Sequence, residues 1–180
     1  MAASATIYDY TPLQARIVEL YDCYRTSLMN AKYYARRLDR WKLASTISDG
    51  VVAISASGSF GSMAFWKQGV GANTFTVLLS IATLLSVLRP VLRIPDKIDH
   101  LSKLHYGYLE LYYRIEALIS EMRTAGRVSP EQLSKADALR ERFRSLELEG
   151  DAYQSPKILL KYQDEIEKTL PTERLWLPSE

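Results

Sequence analysis

Residues 43–66, LASTISDGVVAISASGSFGSMAFW, and 70–88, VGANTFTVLLSIATLLSVL, are separated by Lys67-Gln68-Gly69. From Leu43 to Leu88 the chain carries two charged residues, Asp49 and Lys67. Helices rising 1.5 Å per residue would be about 36 and 28 Å long over these stretches, against roughly 30 Å for a bilayer's hydrocarbon core. Two adjacent stretches this long and this poor in charge predict a transmembrane hairpin. The alternative is a hairpin buried at the centre of a soluble helical bundle.

The flanks read as helices. Thr11-Pro12-Leu13-Gln14 carries an N-cap, a proline at the first helical position and a capping-box glutamine. Ile17, Tyr21, Tyr24, Leu28, Ala31, Ala35 and Leu38 then form an apolar stripe, predicting a helix over 11–41. After Arg89-Pro90 a longer stripe runs through Ile94, Ile98, Leu101, His105, Tyr108, Tyr112, Ile115, Ile119 and Met122. Leu104, Leu111 and Leu118 widen it, predicting a helix over 94–125 with a 3.5-residue period. Leu101, His105, Tyr108, Tyr112, Ile115 and Ile119 are its candidate seam for a partner helix. Gly126 ends that run. Ser129-Pro130-Glu131-Gln132 and Ser155-Pro156 open two further helices over 129–170, and 171–180 is a tail with Leu175-Trp176-Leu177 as its anchor. Flanks of about 42 and 92 residues are short for separate domains, so residues 1–180 read as one unit. The fold class is all-α: a membrane hairpin flanked by cytoplasmic amphipathic helices that form a bundle.

Charge supplies an orientation. Arg25, Lys32, Arg36, Arg37, Arg40 and Lys42 precede the hairpin, and Arg89, Arg93, Lys97 and Lys103 follow it, while the loop holds Lys67 alone. The positive-inside bias puts both termini in the cytoplasm of a bacterial inner membrane, with Trp41 and Trp66 at the interfaces. The first 40 residues lack an apolar run, so the first span would serve as its own insertion signal. Residues 1–127 hold 15 Lys/Arg against 10 Asp/Glu, and 128–180 hold 8 against 11. That basic excess crowds the hairpin ends, which suits a lipid bilayer as partner and not direct nucleic-acid binding.

Polar residues inside the spans carry the functional suggestion. Asp49, Ala53, Ser57 and Gly61 fall every four residues, a small-residue ridge that permits close helix approach. Ser48, Ser55, Ser59 and Ser62 lie on the other side, and Asn73, Thr76, Ser80 and Thr83 stripe the second span. Self-association that lines a water-filled path with these residues is the sharp reading; packing within one hairpin is the plain one. Asp49 is an intramembrane functional group, an interfacial residue, or a partner of Arg89.

Catalytic patterns are missing. His100 and His105 lie on different helix faces, and the lone Cys23 builds neither a disulfide nor a zinc site. Gly58-Ser59-Phe60-Gly61 lacks the lysine and hydroxyl residue of a phosphate loop. No enzyme, metal or cofactor is expected.

The layout resembles the SLATT family of bacterial two-transmembrane effectors. Tyr33-Tyr34-Ala35-Arg36-Arg37-Leu38, the glycine-bearing first span, Ser45 to Gly50 and Leu84-Leu85-Ser86-Val87-Leu88 carry the resemblance, which covers about residues 1–125. It implies a homo-oligomeric, pore-forming or membrane-disrupting effector that arrests growth in anti-phage defence. A separately encoded sensor, a nucleotide-generating enzyme or a reverse-transcriptase system, would trigger it. The other function weighed is a membrane-anchored adaptor whose cytoplasmic seam docks a soluble partner.

Overall fold

A computed structural model describes residues 10–56, 77, 80, 81, 83, 84, 87, 93–150, 154–171 and 175–178. Among them every regular element is helical: α1 (Pro12–Ala56), α2 (Ile94–Ala125), α3 (Pro130–Glu149) and α4 (Pro156–Thr169). Val77, Ser80, Ile81, Thr83, Leu84 and Val87 are helical as well. The fold is all-α.

The helix starts follow from local chemistry. At α1 the Thr11 N–H donates to Gln14 Oε1 (3.2 Å) and the Gln14 N–H to Thr11 Oγ1 (3.3 Å). Ser129 and Gln132 make the same reciprocal pair at α3. Each pair satisfies two of the amides that a helix start leaves without intrahelical partners. Gly126 ends α2 at φ +64°, a conformation open to glycine at little cost.

The segment read as a helix over 11–41 and the start of the stretch at 43–66 lie on one element, since α1 runs unbroken through 45 residues, about 67 Å. Lys42, Leu43 and Ala44 are good helix formers, and no glycine or proline occurs between Leu13 and Asp49 to stop it. The Thr46 hydroxyl bonds back to the Lys42 carbonyl at 3.0 Å, so it does not compete with the helix.

The chain divides into two compact units, Met1–Tyr34 with Lys103–Glu180, and Ala35–Ser102. In the first, α1 is the central element. Ile17, Leu20, Tyr21, Tyr24, Ser27, Asn30, Ala31, Tyr33 and Tyr34 are all buried, a band wider than one stripe because several partners press on it. Leu104, Tyr108, Leu111, Ile115, Leu118 and Met122 of α2, Phe143 and Leu146 of α3 and Ile166 of α4 complete that core. Each such side chain contributes roughly 1.5–3 kcal/mol by leaving water. In the second unit Leu38, Ile94 and Leu101 are buried, and Lys97 Nζ sits 4.7 Å above the Trp41 ring.

Candidate functional site

Along α1 the sequence places tyrosines where a plain helical bundle would use leucine, and the structure uses both halves of each. Tyr24 stacks on Tyr112, with centroids 4.7 Å apart and planes 12° from parallel. Tyr34 stacks on Tyr108 at 5.7 Å, and Phe143 meets Tyr108 edge-on at 6.1 Å. The rings supply apolar area, and the hydroxyls reach distant segments. Tyr33 accepts from the Ser155 N–H at 3.1 Å, holding the start of α4. Tyr21 accepts from the Trp176 N–H at 3.2 Å, and Gln14 Nε2 donates to the Pro178 carbonyl at 3.3 Å, so the tail is anchored to α1.

Tyr24 also lies 3.3 Å from Glu116 Oε1. A carboxylate can only accept, so the Tyr24 proton points to Glu116 and the Tyr112 hydroxyl, 3.0 Å away, donates to Tyr24. Burial, then the contacts with Tyr112 and Glu116, push the Tyr24 phenol far above its ordinary range. Burial does the same to Tyr108, reinforced by Tyr34 and Glu147 and opposed by a hydrogen bond from Asn30. Both phenols therefore act as hydroxyls, not phenolates. His105 Nδ1 is 3.0 Å from the Ala31 carbonyl, which fixes the proton on Nδ1.

The residues expected to form a partner seam are thus placed inside the protein. Tyr108, Ile115 and Ile119 are buried in the first unit, where His105 and Tyr112 bond to α1; Leu101 is buried in the second. The outer face of α2 exposes Tyr106 and Tyr113 instead.

Of the candidate pore-face residues, Asp49 and Ala53 lie exposed on α1, and Ser45 Oγ approaches Asp49 Oδ2 at 3.5 Å. Ser55 is helical, and Ser80 and Thr83 are helical and exposed. Ser57, Ser59, Gly61, Ser62, Asn73 and Thr76 lie outside the described residues, as do Trp66 and Arg89. Ser48 is 5% exposed, and its hydroxyl has no hydrogen-bond partner among the described residues. On the same helical segments large apolar side chains face outward: Leu43 (61% exposed), Ile47 (56%), Val77 (57%), Ile81 (44%), Leu84 (59%) and Val87 (60%). Among the described residues no helix is long and apolar enough to cross a membrane; residues 57–66 of the first expected span and most of the second lie outside that set.

No catalytic constellation emerges from the described residues, and no three His, Cys, Asp or Glu side chains among them are grouped to hold a metal ion. Cys23 is half-buried, and burial pushes its thiol up against the opposing pull of Arg140, leaving little thiolate for chemistry. The hydroxyl functions of Tyr21, Tyr24 and Tyr33 went unread in the sequence. For Tyr21 and Tyr24 the signal was tyrosine at interior stripe positions, whereas Tyr33 lies off the stripe. No protein-family model, curated protein or solved structure matches the chain.

Proposed function

We propose that the chain is a membrane effector of the kind its SLATT-like layout implies. Its charge-poor hairpin enters the bacterial inner membrane with both termini in the cytoplasm, and copies assemble to form a pore or otherwise breach the bilayer. Growth arrest or cell death in anti-phage defence is the outcome, set off by a separately encoded sensor.

One observation carries this reading. Leu43, Ile47, Val77, Ile81, Leu84 and Val87 expose apolar side chains on helical segments of the stretch that is nearly free of charge. Scattered exposed apolar residues are ordinary, but a run of them on the longest charge-poor stretch marks a surface that something apolar covers. Lipid covers such a surface without demanding shape complementarity, and the flanking arginines and lysines suit anionic headgroups.

The adaptor reading receives less support, because α1 already fills the face of α2 that a partner would use. A docking partner would have to displace α1 or use Tyr106 and Tyr113 on the outer face.

Carbonate extraction and inducible expression with a membrane-potential dye test the proposal together. Retention in the pellet and depolarisation on triggering are expected, and replacing both Ser80 and Thr83 by leucine should keep the retention and remove the depolarisation. Recovery in the soluble fraction without detergent would remove the bilayer from the reading, and retention without depolarisation would remove the pore.

A further inference from the structure

A cavity of about 380 Å³ opens where α1, α2 and the segment following α4 meet in the first unit. That size lies within the range of small-ligand sites. Ile119, Leu170, Pro171 and Leu175 give it apolar walls. Glu116 and Arg123, both exposed residues of α2, line it as well, and they are seven residues apart. Two turns of helix bring them onto one face with their Cα atoms about 10 Å apart along the axis.

The two charges are open to a ligand. Tyr24 takes up one side of the Glu116 carboxylate with a single hydrogen bond at 3.3 Å, leaving further acceptor positions. Arg123 makes no ion pair among the described residues. An anion alone would meet Glu116, and a cation alone would meet Arg123. A molecule that carries both charges with an apolar spacer satisfies each end and lays its middle on Ile119 and Leu170.

We infer that this cavity binds a small zwitterion with an apolar body, its ammonium group at Glu116 and its carboxylate at Arg123. Tyr24 holds the Glu116 carboxylate in place with its hydroxyl proton. The inference does not depend on whether the hairpin enters a bilayer.

The test uses the purified full chain, in detergent where fractionation requires it, with ε-aminocaproate as probe and hexylamine, hexanoate and glycine as controls. Calorimetric binding of ε-aminocaproate is expected, with Glu116→Gln and Arg123→Gln each weakening it roughly tenfold or more. Hexylamine and hexanoate lack one charge, and glycine lacks the spacer, so all three should bind more weakly. Glu116→Gln keeps an acceptor for Tyr24, and an unchanged melting temperature in the absence of probe verifies that the bundle is intact. Absence of ε-aminocaproate binding, unchanged affinity in both variants, or equal binding of hexylamine each overturns the inference.

Discussion

Tyr24 and Tyr112 lie ring against ring at 4.7 Å with their hydroxyls 3.0 Å apart, across 88 residues of sequence. The stack and the hydrogen bond are separable. Tyr24→Phe keeps the ring and removes the link through which Tyr112 reaches Glu116. A loss of about 1–3 kcal/mol in unfolding free energy is expected, since two hydrogen bonds of about 0.5–1.5 kcal/mol net go with the hydroxyl. A double-mutant cycle with Tyr112→Phe should return a coupling of about 0.5–1.5 kcal/mol, and additive losses would show that the hydroxyls act independently.

Tyr33 anchors the residue that opens α4. Ser155 precedes α4 without a side-chain cap bond, and its own N–H is held by the Tyr33 hydroxyl. Tyr33→Phe should cost about 1 kcal/mol locally, so hydrogen exchange at the first amides of α4 should accelerate about fivefold. Amides in the middle of α2 should not change.

Gly107 permits a close approach. A Cβ there would fall 2.8 Å from Leu146 Cδ2, and Leu146 is buried. Gly107→Ala gains about 1 kcal/mol of helix propensity but incurs about 1–3 kcal/mol of overpacking. Net destabilisation is expected by denaturant melting. Leu146→Ala alone should cost about 2–5 kcal/mol, and less in the Gly107→Ala background, where the new methyl occupies part of the space.

Among the described residues three ion pairs tie α1 to its neighbours: Lys32 to Glu165 of α4 at 2.5 Å, and, to α3, Arg16 to Asp137 and Glu19 to Arg140. The hydrogen bond from Lys32 holds the Glu165 carboxyl below its ordinary 4.5, and that from Arg16 holds Asp137 below 3.8. A depressed carboxylate stabilises the fold fully above its ordinary value, and that contribution is lost as pH falls through the folded value. The melting-temperature advantage of wild type over Glu165→Gln should therefore be present at pH 7 and vanish under acid. Added salt should shrink it at pH 7, because the Lys32–Glu165 pair is partly exposed.

Ser27 is fully buried, and its hydroxyl has no hydrogen-bond partner among the described residues. Ser27→Ala removes a polar group that gave up water for nothing, so a melting temperature equal to or above wild type is expected. A clear loss would mean that the hydroxyl has a bonded role.

Much of the helical framework was legible because its signals are local. Thr11-Pro12-x-Gln14 and Ser129-Pro130-x-Gln132 state their caps within four residues, and Gly126 states an end. The stripe from Ile94 to Met122 gave the buried face of α2 because 4-3 spacing maps directly onto one side of a helix. What covers that face was not legible. Periodicity shows that His105 and Tyr112 face something, but it does not tell a second chain from Ala31 and Tyr24 of the same chain. Nor did the stripe on α1 disclose Tyr33 and Tyr34, which lie off its line and are buried because helices press on α1 from more than one direction. Cavity-lining residues such as Glu116 and Arg123 looked like ordinary solvated charges, since the segment after α4 that completes the cavity is some fifty residues away.

The hydrogen bond from the Trp176 N–H to the Tyr21 hydroxyl spans 155 residues. At a synthesis rate of roughly 5–20 residues per second, Tyr21 leaves the ribosome about 8–30 s before Trp176 can reach it. Through that interval the apolar band of α1 has no complete set of partners, and the charge-poor stretch emerges while it waits. A nascent chain in that condition keeps an apolar band in water until its tail arrives, so the last residues made complete the packing of the first helix.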